Sequence, residues 1–327
     1  MNRLTVAAVL LATFASTFSV AQEAYPSRPI TMVVPFPAGG PSDVVARIVA
    51  ERMRSSLGQP VVVENVTGAG GTIALRRVFQ SAPDGYTLVI GNWATHVGAT
   101  ATFRVAYDIT KDFDPIAMLA IAPLWLVGAN SIPAEDLKGL IAWLKANPGN
   151  VAAGTAGTGS LAHLSCIYFQ NRTGTQFKLV PYRGGGQAVQ DLVAGVIHLQ
   201  CGVDASSTRS LVQGGKIKAF AVMRGTRWSL APEVPTVDEA GLPGFYVGSW
   251  NSLWVRHSTP KAVIDRLNAA VVESLADPAV GGKLVELGQD VPPRSQQTPE
   301  ALSAYHKAEM DKWLPIMKAE NIKPRPQ

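Results

Sequence analysis

Ile30-Thr31-Met32-Val33-Val34-Pro35-Phe36-Pro37-Ala38-Gly39-Gly40-Pro41-Ser42-Asp43 decides the fold class. Its first five residues make a short apolar run of the kind found in strands covered on both faces. A Pro/Gly turn follows. Val45, Ile48, Val49, Met53 and Leu57 then repeat at helical spacing as far as Gly58, which stands where a C-cap belongs. The same order recurs downstream. Val61-Val62-Val63 predicts a second strand, Gly68-Ala69-Gly70-Gly71 leads into a helix ending near Gln80, and Thr87-Leu88-Val89-Ile90 predicts a third strand. Apolar strands alternating with helices predict an α/β protein whose mostly parallel sheet is flanked by helices.

The alternation then restarts. Ile116–Ala120 and Trp125–Gly128 are apolar runs on either side of Pro123, where the chain is expected to cross between two lobes. A second series follows: strand Val151–Ala153, helix Leu161–Asn171, strand Lys178–Val180, helix Gln187–Ala194 and strand Val196–Cys201. Lys216–Met223 predicts one more strand, Arg224–Gly248 reads as turns, and Ser252–Val255 as a returning strand. Thr259-Pro260 and Thr298-Pro299 each read as an N-cap followed by a first helical residue. The expected organisation is a discontinuous first lobe, residues 22–122 plus about 224–327, and a second lobe of about 123–223. In such lobes ligands collect at the carboxyl ends of the strands.

Composition narrows the function classes. The chain of 327 residues is 47% hydrophobic and 16% charged, a globular balance that excludes disorder as the main state. Its formal charge of +5 is spread along the chain without a basic run, which argues against nucleic acid as a partner. Met1-Asn2-Arg3, the apolar run Leu4 to Phe18 and the small residues of Ser19-Val20-Ala21 predict a cleaved export signal over residues 1–21. The mature chain is then expected to be periplasmic, soluble and monomeric. Cys166 and Cys201 are equally compatible with a disulfide and with two buried thiols.

Three glycine turns precede helices and carry the candidate site. In the first, Gly39 and Gly40 permit close backbone approach, and the helix start opened by Pro41 favours an anion. Asp43 either caps its own helix or accepts a bond from a ligand amine or a bound water. In the second, Gly154-Thr155-Ala156-Gly157-Thr158-Gly159-Ser160, the run from Gly157 to Ala162 fits the dinucleotide pattern GxGxxA. The acidic residue that should follow about 20 residues later is missing, so no cofactor is expected. The same glycines suit a carboxylate cradle, with Thr155, Thr158 and Ser160 as hydroxyl donors and Ser160 also an N-cap. In the third, Arg183 precedes Gly184-Gly185-Gly186 and either pairs with a ligand carboxylate or lies on the surface. Asn92, Trp93, Thr95 and His96 close the third strand, and Trp93 either stacks on an aromatic ligand or packs. The five histidines have no HxH or HExxH spacing and no GxSxG elbow is present, so neither a metal site nor a catalytic residue is assigned.

Taken together these residues resemble the Bug-type, tricarboxylate-binding receptor family of exported solute receptors. The resemblance is carried by Tyr25–Ile30, Pro35–Gly40, Leu57–Asn65, Gly68–Thr72, Ala82–Leu88, Ala146–Gly149 and Val234–Gly244, and spans essentially the whole mature chain. It implies two α/β lobes closing over a small carboxylate, without catalysis, and delivery to the permease subunits of a tripartite tricarboxylate transporter. It points to Phe36, Ala38, Gly39 and Asp43 in one lobe, and to Thr155, Ala156, Gly157, Thr158, Ser160 and His163 in the other, with the His96 turn and Asp204 as further candidates. Trp93 departs from the small residue common in the family, as does His198–Asp204 from the usual segment. A sensor presenting its liganded form to a membrane kinase would share this fold. An exported hydrolase is disfavoured by the missing nucleophile motifs.

Overall fold

The computed structural model describes residues 25–324. The export signal expected over residues 1–21 lies outside the described residues. The strands are β1 (Ile30–Val34), β2 (Val61–Asn65), β3 (Thr87–Asn92), β4 (Phe113–Ala129), β5 (Ala152–Thr155), β6 (Lys178–Pro181), β7 (Leu199–Asp204), β8 (Ile217–Val222) and β9 (Gly248–Arg256). The principal helices are α1 (Pro41–Leu57), α2 (Thr72–Phe79), α3 (Leu137–Ala146), α4 (Leu161–Thr173), α5 (Gly185–Val193), α6 (Ala205–Gln213), α7 (Lys261–Ala276), α8 (Pro278–Glu286) and α9 (Pro299–Ala319).

The strands form one mixed sheet in the order β2-β1-β3-β9-β4-β7-β5-β6, with β8 paired to β4. Its two ends are parallel, as expected: β1 pairs β2 and β3 at one end, and β5 pairs β6 and β7 at the other. The middle is antiparallel. β9 lies between β3 and β4, and β4 passes from β9 on to β7 and β8. The two apolar runs around Pro123 are therefore one 17-residue strand. Pro123 is tolerated because it is the last residue paired with β9, opposite Gly248, and pairing with β7 begins at Leu124. Its missing N–H falls at the changeover between ladders.

Packing follows from the pattern. Val45, Val49 and Met53 of α1 are fully buried against β1 and against Leu267 and Val271 of α7. Gly58 ends α1 in the left-handed region, donating its N–H to the Arg54 carbonyl. Thr298 caps α9 through a bond from the Ala301 N–H. Helix α7 differs slightly from expectation: Pro260 takes the cap position, and the Thr259 hydroxyl donates back to the Arg256 carbonyl instead. Cys166 on α4 and Cys201 on β7 are both buried, free thiols. No helix among the described residues is long and apolar enough to cross a membrane.

Candidate functional site

The first glycine turn is locked from within. Gly39 has φ 78°, and its N–H donates to the Asp43 carboxylate at 2.8 Å. The same carboxylate accepts from Arg47 Nε at 2.9 Å and from Asn65 Nδ2 at 2.8 Å. Burial pushes the Asp43 carboxyl pKa up, but the bonds from Arg47, Gly39 and Asn65 outweigh it and hold the group below the ordinary carboxylate range. Asp43 is 1% exposed and ties down the turn that precedes its helix, without capping the helix's own N–H groups. Gly40 takes the N-cap position and offers no side chain there. Asn65 Nδ2 also occupies the carbonyl of half-buried Phe36, while Ala38 is exposed.

The second turn is held without charge. Gly157 has φ 103° and Gly159 φ 81°. Ser160 caps α4 by accepting the His163 N–H at 3.2 Å, and His163 Nδ1 accepts the Gly159 N–H at 3.3 Å. That bond requires Nδ1 unprotonated, and burial indeed lowers the His163 pKa, against a smaller opposing pull from Glu320. Thr155, at the end of β5, is fully buried, and its hydroxyl finds no partner among the described residues. Ala156 is half-buried beside it, and Thr158 is exposed. Arg183 follows β6, whose Pro181 is in register with Thr155. The Arg183 side chain is exposed, and no hydrogen bond or ion pair engages it among the described residues.

Two clefts are bordered by both ends of the sheet. One, of about 420 Å³, brings Asn92, Trp93 and Phe103 together with Thr158, Ser160 and Leu161. The other, of about 410 Å³, brings Gly39 and Pro41 at the start of α1 to Asp204 and Ser206 at the start of α6. Asp204 is an N-cap, accepting from the Ser207 N–H and the Ser206 hydroxyl. Thr95 and His96 line neither cleft. His96 is fully buried, stacked on Trp254 with ring centroids 4.5 Å apart, and bonded through Nδ1 to the Thr95 hydroxyl. Burial drives its pKa well below that of free imidazole. Thr95 in turn accepts the Asn92 N–H and thereby shapes the strand end from behind.

Several lining residues escaped the sequence reading. Phe103 follows a short helical segment, Ala99–Thr102, with no motif of its own. Ser249 arrives on β9, more than 150 residues after β3 in sequence. Ser42 lines neither cleft but accepts from Asn92 Nδ2 at 3.5 Å and so links α1 to the end of β3. Among the described residues no cluster of His, Cys, Asp and Glu could hold a metal ion.

A continuous sheet with two parallel ends, shared crossing strands and clefts bordered by both ends defines the class of two-lobed solute receptors. The chain belongs to the tripartite tricarboxylate transporter family of receptors, whose profile matches residues 45–322. Malate-bound MatC from Rhodopseudomonas palustris is 37% identical, over 90% of this chain and all of that one, with a TM-score of 0.70. The periplasmic binding protein BugD is 35% identical, over 92% and 100% of the two chains, also at 0.70. A ligand-free TctC solute-binding protein from Polaromonas is 27% identical, over 90% and 99%, with a TM-score of 0.80. The protein is thus a Bug-type periplasmic solute-binding receptor and not an enzyme.

Proposed function

We propose that this receptor captures a small organic carboxylate between lobes formed by residues 22–122 with 224–327 and by residues 123–223. Export through the signal at residues 1–21 and delivery to the membrane subunits of a tripartite transporter complete the reading. The observation that carries it is the placing of helix starts at clefts bordered by both ends of the sheet, α1 and α6 meeting at one and α4 opening on the other. Unpaired N–H groups at helix starts favour an anion. Thr158, Ser160 and Asn92 add neutral donors, and the exposed Arg183 stands beside the second turn as a further partner for a carboxylate. Glycine turns of this kind position an anion without requiring a basic pocket.

Capture by hinge closure fits the same features. Leu124 and Pro123 sit where β4 changes partners, so rotation there moves the two turns relative to each other.

Thermal unfolding of the mature protein, refolded to strip carried-over ligand, tests the reading against mono-, di- and tricarboxylates, acidic amino acids and neutral amides. A ligand at 100 times its dissociation constant contributes about 2.7 kcal/mol and raises the melting temperature by several degrees. A shift with acids alone is the expected result. A shift with a neutral amide and no acid would remove the carboxylate assignment.

A further inference from the structure

The cleft of about 420 Å³ has two kinds of lining: the hydroxyl and amide groups of Asn92, Thr158, Ser160 and Ser249, and the apolar side chains of Trp93, Phe103 and Leu161. None of its lining residues carries a charge. Both aromatic rings are seated on glycines. A Cβ on Gly98 would stand 2.8 Å from Trp93 Cζ3, and one on Gly70 would stand 2.8 Å from Phe103 Cε2. Either added methyl would displace a ring. Trp93 is 4% exposed, and its indole N–H has no acceptor among the described residues. Trp93 also meets Trp313 of α9 edge to face at 5.8 Å, and Trp313 meets Tyr168 of α4 in the same way at 5.8 Å. The ring is thereby braced from behind by aromatic contacts that reach the second half.

Resting on the carboxylate-receptor reading above, we propose that Trp93 and Phe103 form an apolar subsite that selects monocarboxylates bearing an uncharged alkyl or aryl tail. A dicarboxylate would have to place its second charge against two rings and Leu161 with no cation to pair it, and a charge desolvated without a partner is strongly disfavoured. An apolar tail displaces water from the same surfaces favourably. An acceptor on the tail, such as an ether or ring oxygen, would also satisfy the Trp93 N–H.

The test is calorimetric titration of the stripped mature protein with hexanoate, phenylacetate and adipate, hexanoate and adipate having equal chain length. Hexanoate and phenylacetate are expected to bind at least tenfold more tightly than adipate. Phe103→Ala, at a half-buried position, should weaken phenylacetate at least fivefold. Trp93→Phe, which keeps a ring, should preserve hexanoate binding while weakening acids with an acceptor-bearing tail such as 2-furoate. Leu161→Lys should shift preference toward adipate. Adipate binding as tightly as hexanoate, or a phenylacetate affinity unmoved by Phe103→Ala, would overturn the subsite. Tight adipate binding would leave the carboxylate reading standing, and binding of none of the four acids while another acid of the thermal panel binds would remove the subsite alone.

Discussion

The two glycine turns solve one problem by different means. The turn before α1 is pinned by a buried carboxylate that takes the Gly39 N–H and is itself neutralised by Arg47. The turn before α4 is pinned by a hydroxyl and a neutral imidazole. The first therefore holds an ion pair next to its helix start, and the second is held by uncharged groups. An incoming anion meets no buried carboxylate at the second turn, where the Thr155 hydroxyl is also unpaired among the described residues and the exposed Arg183 follows two residues after Pro181, the register partner of Thr155. Rigidity at the first turn and receptivity at the second are complementary requirements for a clamp.

That contrast can be broken most severely at the backbone. Gly157→Val, at φ 103°, should abolish carboxylate binding, a loss of at least 100-fold by calorimetry, with little change in far-ultraviolet circular dichroism. Gly39→Val should do likewise, since a left-handed backbone costs a branched residue about 1–2 kcal/mol without unfolding the domain. Normal binding by either variant would remove that turn from the site. Asp43→Ala should be felt next, chiefly in stability. It strands the Gly39 N–H and leaves the Asn65 amide with the Phe36 carbonyl alone, and urea unfolding should show a loss of about 1–3 kcal/mol. An unchanged midpoint would mean that the first turn holds itself.

In stability, Ser160→Ala costs a neutral cap, and about 1 kcal/mol should go with it. The smallest effect belongs to pH. His163 has a lowered pKa in the fold, so the unfolded chain takes up its proton first as pH falls below about 6.5. Stability should therefore decline from pH 7 toward pH 5, with His96 and His306 contributing in the same direction through burial. His163→Gln should flatten that decline slightly in melting curves across the range. An identical slope in the variant would show that the Gly159 contact does not depend on the neutral ring.

Elements with local causes were legible in the amino-acid order. The apolar runs of β1, β2, β3 and β5 and the spacing along α1 depend on neighbours within a few residues, and each turned up in place. What escaped depends on distant partners. Pro123 reads as a break until β7 and β8 are seen to take over from β9. Helix α8, glycine-rich and short, gave no clear period. Of the site, Gly39, Trp93, Thr158, Ser160 and Asp204 border the clefts, because turns after strands are recognisable locally. Phe103 and Ser249 reach the cleft through tertiary packing that no nearby motif signals. His96 reads as a polar group at a strand end and is in fact an interior ring, since nothing in the sequence reveals the tryptophans that enclose it.

The position of β9 has a consequence for the order in which the molecule can be assembled. Residues 248–256 fill the gap between β3 and β4, so the sheet end begun by residue 30 stays open until that late segment has emerged. A chain released amino terminus first would travel through most of its length with an unsealed edge, and closing it means joining segments more than 150 residues apart. Such long-range closure is slow compared with forming local helices. Delay of this kind keeps a polypeptide threadable, which is what a protein bound for the far side of a membrane needs before it settles.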